Sequence, residues 1–201
     1  MPLKIFPKKW LAKVSIILVG IFALAVIGFF QPKSAWSSTA NKTPKAVAVI
    51  ASSSPVRLKI ARLKINASIE SVGLTPQGAV GVPNGENNVS WFNLGTLPGE
   101  VGSAVISGHF GYWKNGKAAI FNSLAKLKPG DKISVQNQKG TIVNFVVRTS
   151  KSYNQNAQAT EVFSSTDGGV HLNLITCGGT WNRKTKSYPQ RLVIFADLAV
   201  N

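Results

Sequence analysis

The chain has 201 residues, with 23 Lys and Arg against seven Asp and Glu, a net charge of +16 and a single cysteine. That length accommodates one domain of about 150 residues plus an appendage, and one cysteine excludes an internal disulfide framework. A pI near 10.3 would direct a cytosolic protein toward nucleic acid, but the distribution of the charge argues for another setting.

Residues 1–56 contain no acid and seven lysines, whereas residues 57–201 hold every acid and a net charge of +9. Lys4, Lys8 and Lys9 precede an uncharged apolar run, VSIILVGIFALAVIGFF, from Val14 to Phe30. Taken from Trp10, the stretch 10–30 would make a helix about 31 Å long, enough to span the hydrocarbon core of a bilayer. The lysines hold residues 1–9 in the cytoplasm by the positive-inside rule, while Lys13 can snorkel and Trp10 suits the interface. Ser38-Thr39-Ala40 resembles a signal-peptidase site and leaves a cleaved leader as the alternative. The apolar run is longer than the usual core of a signal peptide, which favours a retained single-pass anchor. Either reading exports the remainder, making the membrane a partner and removing nucleic acid as one.

Residues 31–56, QPKSAWSSTANKTPKAVAVIASSSPV, are rich in Ser, Ala, Thr and Pro and read as a flexible linker. Fully extended they reach at most about 90 Å. From Arg57 the pattern is mainly β. Basic residues at most alternate positions of Arg57–Ile65 suit a strand with one wet face. Turn signals follow at Thr75–Gly78, Pro83-Asn84-Gly85, Pro98-Gly99, Lys128–Asp131 and Gln138–Gly140. Between them lie expected strands at 101–107, 132–136, 141–149, 170–176 and 191–198. This spacing predicts a closed or nearly closed, antiparallel-rich barrel over 57–201. Ile120, Phe121 and Leu124 share a face at spacings of three and four and predict a helix over 118–126.

Cys177 ends the alternating strand Val170–Thr176, and Gly178-Gly179 releases the chain directly after it. A thiol where a rigid strand opens into a loop is both positioned and accessible. A thiol attacks as thiolate and needs a cationic or basic partner. Of the two histidines, His171 lies six residues upstream, roughly 20 Å along a strand, so it is no direct partner. His109 ends a second apolar strand, Val101–Gly108. Arg191 opens the last apolar strand, and an antiparallel return through the loop 178–190 would bring it level with Cys177. As a permanent cation it would donate to an oxyanion and never act as base. Arg183, within that loop, competes for the role. The seven acids form no cluster suggesting a calcium site, and the sequence calls for no metal and no cofactor.

The strings Ser103-Ala104-Val105-Ile106-Ser107-Gly108-His109 and Leu174-Ile175-Thr176-Cys177, with Arg191 before an apolar strand, resemble the catalytic segments of sortases, the cysteine transpeptidases of bacterial surfaces. Val72-Gly73-Leu74, Pro98-Gly99-Glu100 and Gly116–Asp131 extend the resemblance over about 55–200, nearest to classes E and F. It implies a single closed eight-stranded barrel with one or two short helices. It also implies a thioacyl intermediate on Cys177 from an LPXTG-like sorting signal, released by an amine acceptor of the cell wall or another subunit. His109 would be acid and base, Arg191 a donor, and Ser107, Ile175 and Thr176 would line the peptide groove. Three positions depart from the family pattern. Asn173 stands where Thr is common, Phe110–Trp113 where an acid often follows the histidine, and Ala61 where Pro is common. A different exported cysteine enzyme, such as an L,D-transpeptidase, would usually embed its thiol in Ser-His-Gly-Cys, which is lacking here. A non-enzymatic basic barrel binding anionic surface polymers would account for the charge but not for the cysteine.

Overall fold

The computed structural model of the chain describes residues 53–113 and 115–200. The expected basic tail (1–9), anchor (10–30) and nearly all of the linker (31–56) lie outside those residues.

Arg57–Ile65, read as one strand, is a hairpin. β1 (Pro55–Ile60) ends in a 3-10 turn at Ala61–Leu63, and β2 (Ile65–Val72) returns antiparallel with Ile60 opposite Ile65. Lys64 makes the reversal in the left-handed region, at φ 55°, a conformation that disfavours any residue with a Cβ. No Gly, Asn or Pro marks this turn, which is why its sequence reads as continuous strand. The barrel continues through β3 (Val89–Phe92), β4 (Gly102–Gly108), β5 (Lys132–Asn137), β6 (Ile142–Asn154), β7 (Val170–Gly178) and β8 (Gln190–Leu198). The spatial order β1-β2-β3-β4-β7-β8-β6-β5 closes on itself through the β1–β5 pair. The β2–β3 and β4–β7 pairs are parallel, and the others antiparallel. Closure removes free sheet edges.

The expected helix over 118–126 is not an α-helix. The backbone N–H groups of Ala119, Ile120 and Phe121 donate outward to Gly111 O, Glu86 O and His109 O, so no i→i−4 ladder forms. A 3-10 turn at Leu124–Lys126 ends the segment. The apolar spacing arises from plugging the core, since Phe121 and Leu124 are fully buried. The ring of Phe121 lies so close to Gly108 that a Cβ there would come within 2.6 Å of it, which accounts for a glycine at the end of β4.

Two apolar clusters sandwich one wall of the barrel. Ala104 and Ile106 of β4, Leu172 and Leu174 of β7, and Ile194 and Ala196 of β8 point into the interior cluster. Their alternates Val105, Ile175, Val193 and Phe195 join an outer cluster with Val80, Phe92, Tyr153, Ala159 and Val162. The outer cover includes α1 (Thr160–Phe163), one turn between β6 and β7, absent from the sequence expectation. Asn173, buried on β7, ties it down by donating Nδ2–H to Val162 O at 2.7 Å. Residues 103–108 of β4 and 170–176 of β7 are thus buried on both faces of the sheet.

At the far end of β7, His171 is clamped between Asp197 of β8 (Nδ1, 2.8 Å) and Asp167 (Nε2, 3.0 Å), and Arg148 also donates to Asp197. Carboxylates only accept, so both ring N–H groups donate from the imidazolium. Burial pulls the His171 pKa down, but the two carboxylates outweigh it and the net shift is upward, while Asp167 is driven below the usual carboxylate range, chiefly by His171. A raised histidine stabilises fully below its unfolded value and loses that contribution as pH rises through its folded value; a depressed aspartate does so above its unfolded value and loses it on acidification. The clamp is therefore complete between about pH 4 and 6.5. The melting-temperature deficit of His171→Asn is expected to peak in that window and shrink above it. A deficit independent of pH would contradict the clamp.

Candidate active site

The parallel β4–β7 register sets Ser103 opposite His171 and Ser107 opposite Ile175. Continued two steps past its last pair, that register would bring His109 level with Cys177. In the antiparallel β7–β8 pair, Cys177 stands directly opposite Arg191. Three adjacent strands thus deliver His109, Cys177 and Arg191 at one end of the wall. Alternation sets them on the face of Ser107, Ile175 and Val193, so they meet on the outer wall near the end of the barrel rather than inside its mouth.

His109 is held by the loop between β2 and β3. Its Nε2 lies 3.1 Å from Pro83 O. A carbonyl can only accept, so in the neutral ring the proton is on Nε2 and the lone pair on Nδ1. Trp113 packs on the imidazole at near right angles, with centroids 5.2 Å apart. Arg191 is 3% exposed, and its Nη1 donates to Tyr188 O (2.9 Å) and Gln190 O (2.7 Å). Its Nε is buried with no partner among the described residues. No acid occurs between Asp167 and Asp197 in sequence, so β7, the loop that follows it and β8 as far as Ala196 carry no counter-charge for this guanidinium; Asp197 lies at the other end of β8, opposite His171. Burial pushes the Cys177 thiol above its ordinary value, and the Arg191 charge opposes that rise. The arrangement provides a soft nucleophile, an imidazole nitrogen with a free lone pair, and an unspent N–H on a fixed cation.

The residues expected to line a peptide groove are all buried in this conformation. The Ser107 hydroxyl lies 2.7 Å from that of Ser90 and 3.4 Å from Gly81 O. Ile175 packs into the outer cluster with Val80. Thr176 is fully buried and donates Oγ1–H to Gly108 O at 2.8 Å, a bond linking the strand ends that carry His109 and Cys177. Thr176→Val, which keeps the shape and strands a buried carbonyl, is expected to cost about 1–3 kcal/mol, measurable by urea unfolding. An unchanged midpoint would show that the bond contributes nothing. Arg183, the competitor for Arg191, is exposed on the β7–β8 loop.

Pro83, Trp113 and Tyr188 are site residues that the sequence did not reveal. Pro83 reads only as part of a turn signal, and it acts through a backbone carbonyl that carries no sequence signature. A separate polar cleft of about 390 Å³ lies around His171, lined by Arg148, Lys151, Glu161 and Asp167 among others. Its lining includes no cysteine, and its charges largely pair with one another. No group of three or more His, Cys, Asp or Glu suited to a metal ion occurs among the described residues.

The family model for the sortase domain matches residues 58–199. The chain belongs to the sortase family. Sortases are cysteine transpeptidases, and this chain is an enzyme of that type. Among solved structures, the fold is similar to sortase C-1 from Actinomyces oris at a TM-score of 0.55 and 20% identity, over 73% of this chain and 76% of that one. It is similar to sortase C-1 from Streptococcus pneumoniae at 0.56 and 20%, over 73% and 67%. It is similar to a lid mutant of sortase A from Corynebacterium diphtheriae at 0.55 and 20%, over 73% and 70%. At that identity these structures establish the fold alone. No curated protein matches the chain.

Proposed function

We propose that this sortase cleaves an LPXTG-like sorting signal through a thioacyl intermediate on Cys177 and transfers the acyl chain to an amine of the cell wall or of another protein subunit. The observation that supports the reading is the strand register, which sets Cys177 opposite Arg191 and, continued two steps past the Ser107–Ile175 pair, leads to His109. Cys177 Sγ attacks the threonine carbonyl carbon, and the peptide C–N bond breaks once the leaving glycine amine receives a proton. His109 supplies that proton from Nδ1, because Nε2–H remains engaged with Pro83 O. The same Nδ1 then takes a proton from the acceptor amine as it attacks the thioester, returning the thiol. Arg191 donates Nε–H to the oxyanion or to the substrate backbone while Nη1 holds the loop.

The raised thiol pKa favours a neutral resting thiol that is ionised only as the imidazole takes up its proton. Ile175 supplies an apolar floor for the signal peptide beside Ser107, once the segment around Val80 shifts; Thr176, fully buried and on the inner face with Leu172 and Leu174, does not line it. Within the family the resemblance points nearest to classes E and F. Residues 10–30 hold the enzyme as a single-pass membrane protein with its catalytic domain outside the cytoplasm.

Incubation with an LPXTG-type peptide, quenching in acid and mass spectrometry of the Cys177 peptide test this reading. The expected result is an adduct of the acyl fragment that ends in threonine, discharged by added amine. Cleavage without a thiol adduct would overturn it.

A further inference from the structure

The loop between β7 and β8 carries Arg183, Lys184 and Lys186, all exposed. None of the three enters an ion pair among the described residues. The loop is a defined projection. Asn182 and Ser187 form a bridge across it, and Asn182 Oδ1 accepts from the N–H groups of Lys184 and Thr185. Its base is aromatic. Trp181 packs edge-on against Tyr188 (4.9 Å between centroids), and Tyr188 against Phe110 (5.1 Å) of the loop that follows His109. Gly111, at φ +94°, admits the Tyr188 hydroxyl where a Cβ would collide with it. The two loops are thereby joined into one rim.

That rim exposes aromatic surface. Among the described residues the exposed large hydrophobic side chains include two aromatics, Trp181 at 46% and Tyr112 at 74%, and both are here. Val82, 40% exposed, precedes the Pro83 that holds His109 and adds an aliphatic side chain from the third loop. Amphipathic aromatics with unpaired cations around them suit the headgroup region of an anionic bilayer, where rings lie at the acyl boundary and cations meet phosphate. A soluble polyanion would use the cations and leave Trp181 and Tyr112 in water.

We propose that the rim formed by Trp181, Arg183, Lys184, Lys186 and Tyr112 docks the catalytic domain on an anionic lipid surface. Docking turns the end of the wall that carries Cys177 toward the membrane and does not depend on the reaction assigned to that thiol.

The test uses the full chain in vesicles of phosphatidylcholine alone or mixed with phosphatidylglycerol, with acyl chains brominated near the headgroup. Emission lost in Trp181→Phe isolates this tryptophan from the other four. That share is expected to be quenched by bromine in phosphatidylglycerol vesicles and spared in phosphatidylcholine. It should also be spared when Arg183, Lys184 and Lys186 are all replaced by Glu, with near-ultraviolet circular dichroism reporting folding. Lys184→Gln with Lys186→Gln serves if the triple variant does not fold, and should weaken the quenching. Quenching that is absent, or equal in both lipids and in the charge variants, overturns the proposal. So does shielding of Trp181 from acrylamide by soluble polyglutamate without quenching by lipid, which would assign the rim to a polymer. Formation of the Cys177 acyl adduct in the charge variants, measured separately with soluble peptide, keeps a failure of docking distinct from a failure of the proposed reaction.

Discussion

His109→Ala is expected to lower kcat/KM for an LPXTG-type peptide by about 10²–10⁴, the range for loss of a positioned acid–base group, while His171→Ala stays within a few-fold of wild type. Both histidines lie on the same wall, and composition does not distinguish them. Register does. His109 comes level with Cys177 beyond Ser107 and Ile175, whereas His171 pairs across from Ser103 at the other end of the same two strands. The His171 ring also spends both nitrogens on Asp167 and Asp197, leaving it no lone pair for a reacting group. Its loss should appear in the pH dependence of melting and hardly in turnover. Peptide cleavage followed by chromatography, at a temperature where both variants remain folded, separates the two effects. Comparable losses of activity in both would refute the assignment of proton transfer to His109.

The barrel itself was largely legible because its strands alternate and its turns carry Gly and Pro. The return of β8 beside β7, with Cys177 level with Arg191, follows from an antiparallel connection and was readable from spacing. The parallel pairing of β4 with β7 was not. Nothing local in Ser103–Ser107 or His171–Ile175 states that two strands more than sixty residues apart are neighbours; the outer and inner clusters fix it together. Where the sequence misled, tertiary packing overrode a local pattern. Phe121 and Leu124 sit at helical spacing yet serve as plugs, their segment bonded to His109 O, Gly111 O and Glu86 O instead of to itself. Lys64 turns the chain without a turn residue. The tautomer of His109 depends on the carbonyl of Pro83, and a backbone group looks the same behind any side chain.

Asn173, one of the three departures from the family pattern that the sequence resembles, has a physical role. Its amide spans from β7 to α1, and its Oδ1 is buried without a partner among the described residues. A one-turn helix with no side-chain cap has little intrinsic stability, so this bond, the burial of Val162 and the Glu161 contacts with Lys151 and Tyr153 hold it over the sheet. That cover packs with Ile175 in the outer cluster, through Ala159 and Val162.

Arg191→Lys is expected to lower kcat/KM by about 10²–10³, the usual cost of removing one preorganised donor to an oxyanion. Arginine here does two things at once. Nη1 donates to Tyr188 O and Gln190 O, fixing the end of the β7–β8 loop, while Nε–H is held buried and unspent opposite Cys177. A lysine ammonium is a single point with no fork. It can satisfy the two carbonyls or reach toward the sulfur, and placing it in a site only 3% exposed adds a desolvation cost that guanidinium bears better. The deficit should fall mainly in kcat, because the donor matters most when charge develops on the carbonyl oxygen. Arg183→Lys, on the exposed loop, should leave kcat unchanged and serves as the paired control. Near-wild-type turnover in Arg191→Lys together with a large loss in Arg183→Lys would transfer the role to Arg183. It would also require the β7–β8 loop to fold back over the thiol, a rearrangement that the Trp181–Tyr188–Phe110 stack opposes.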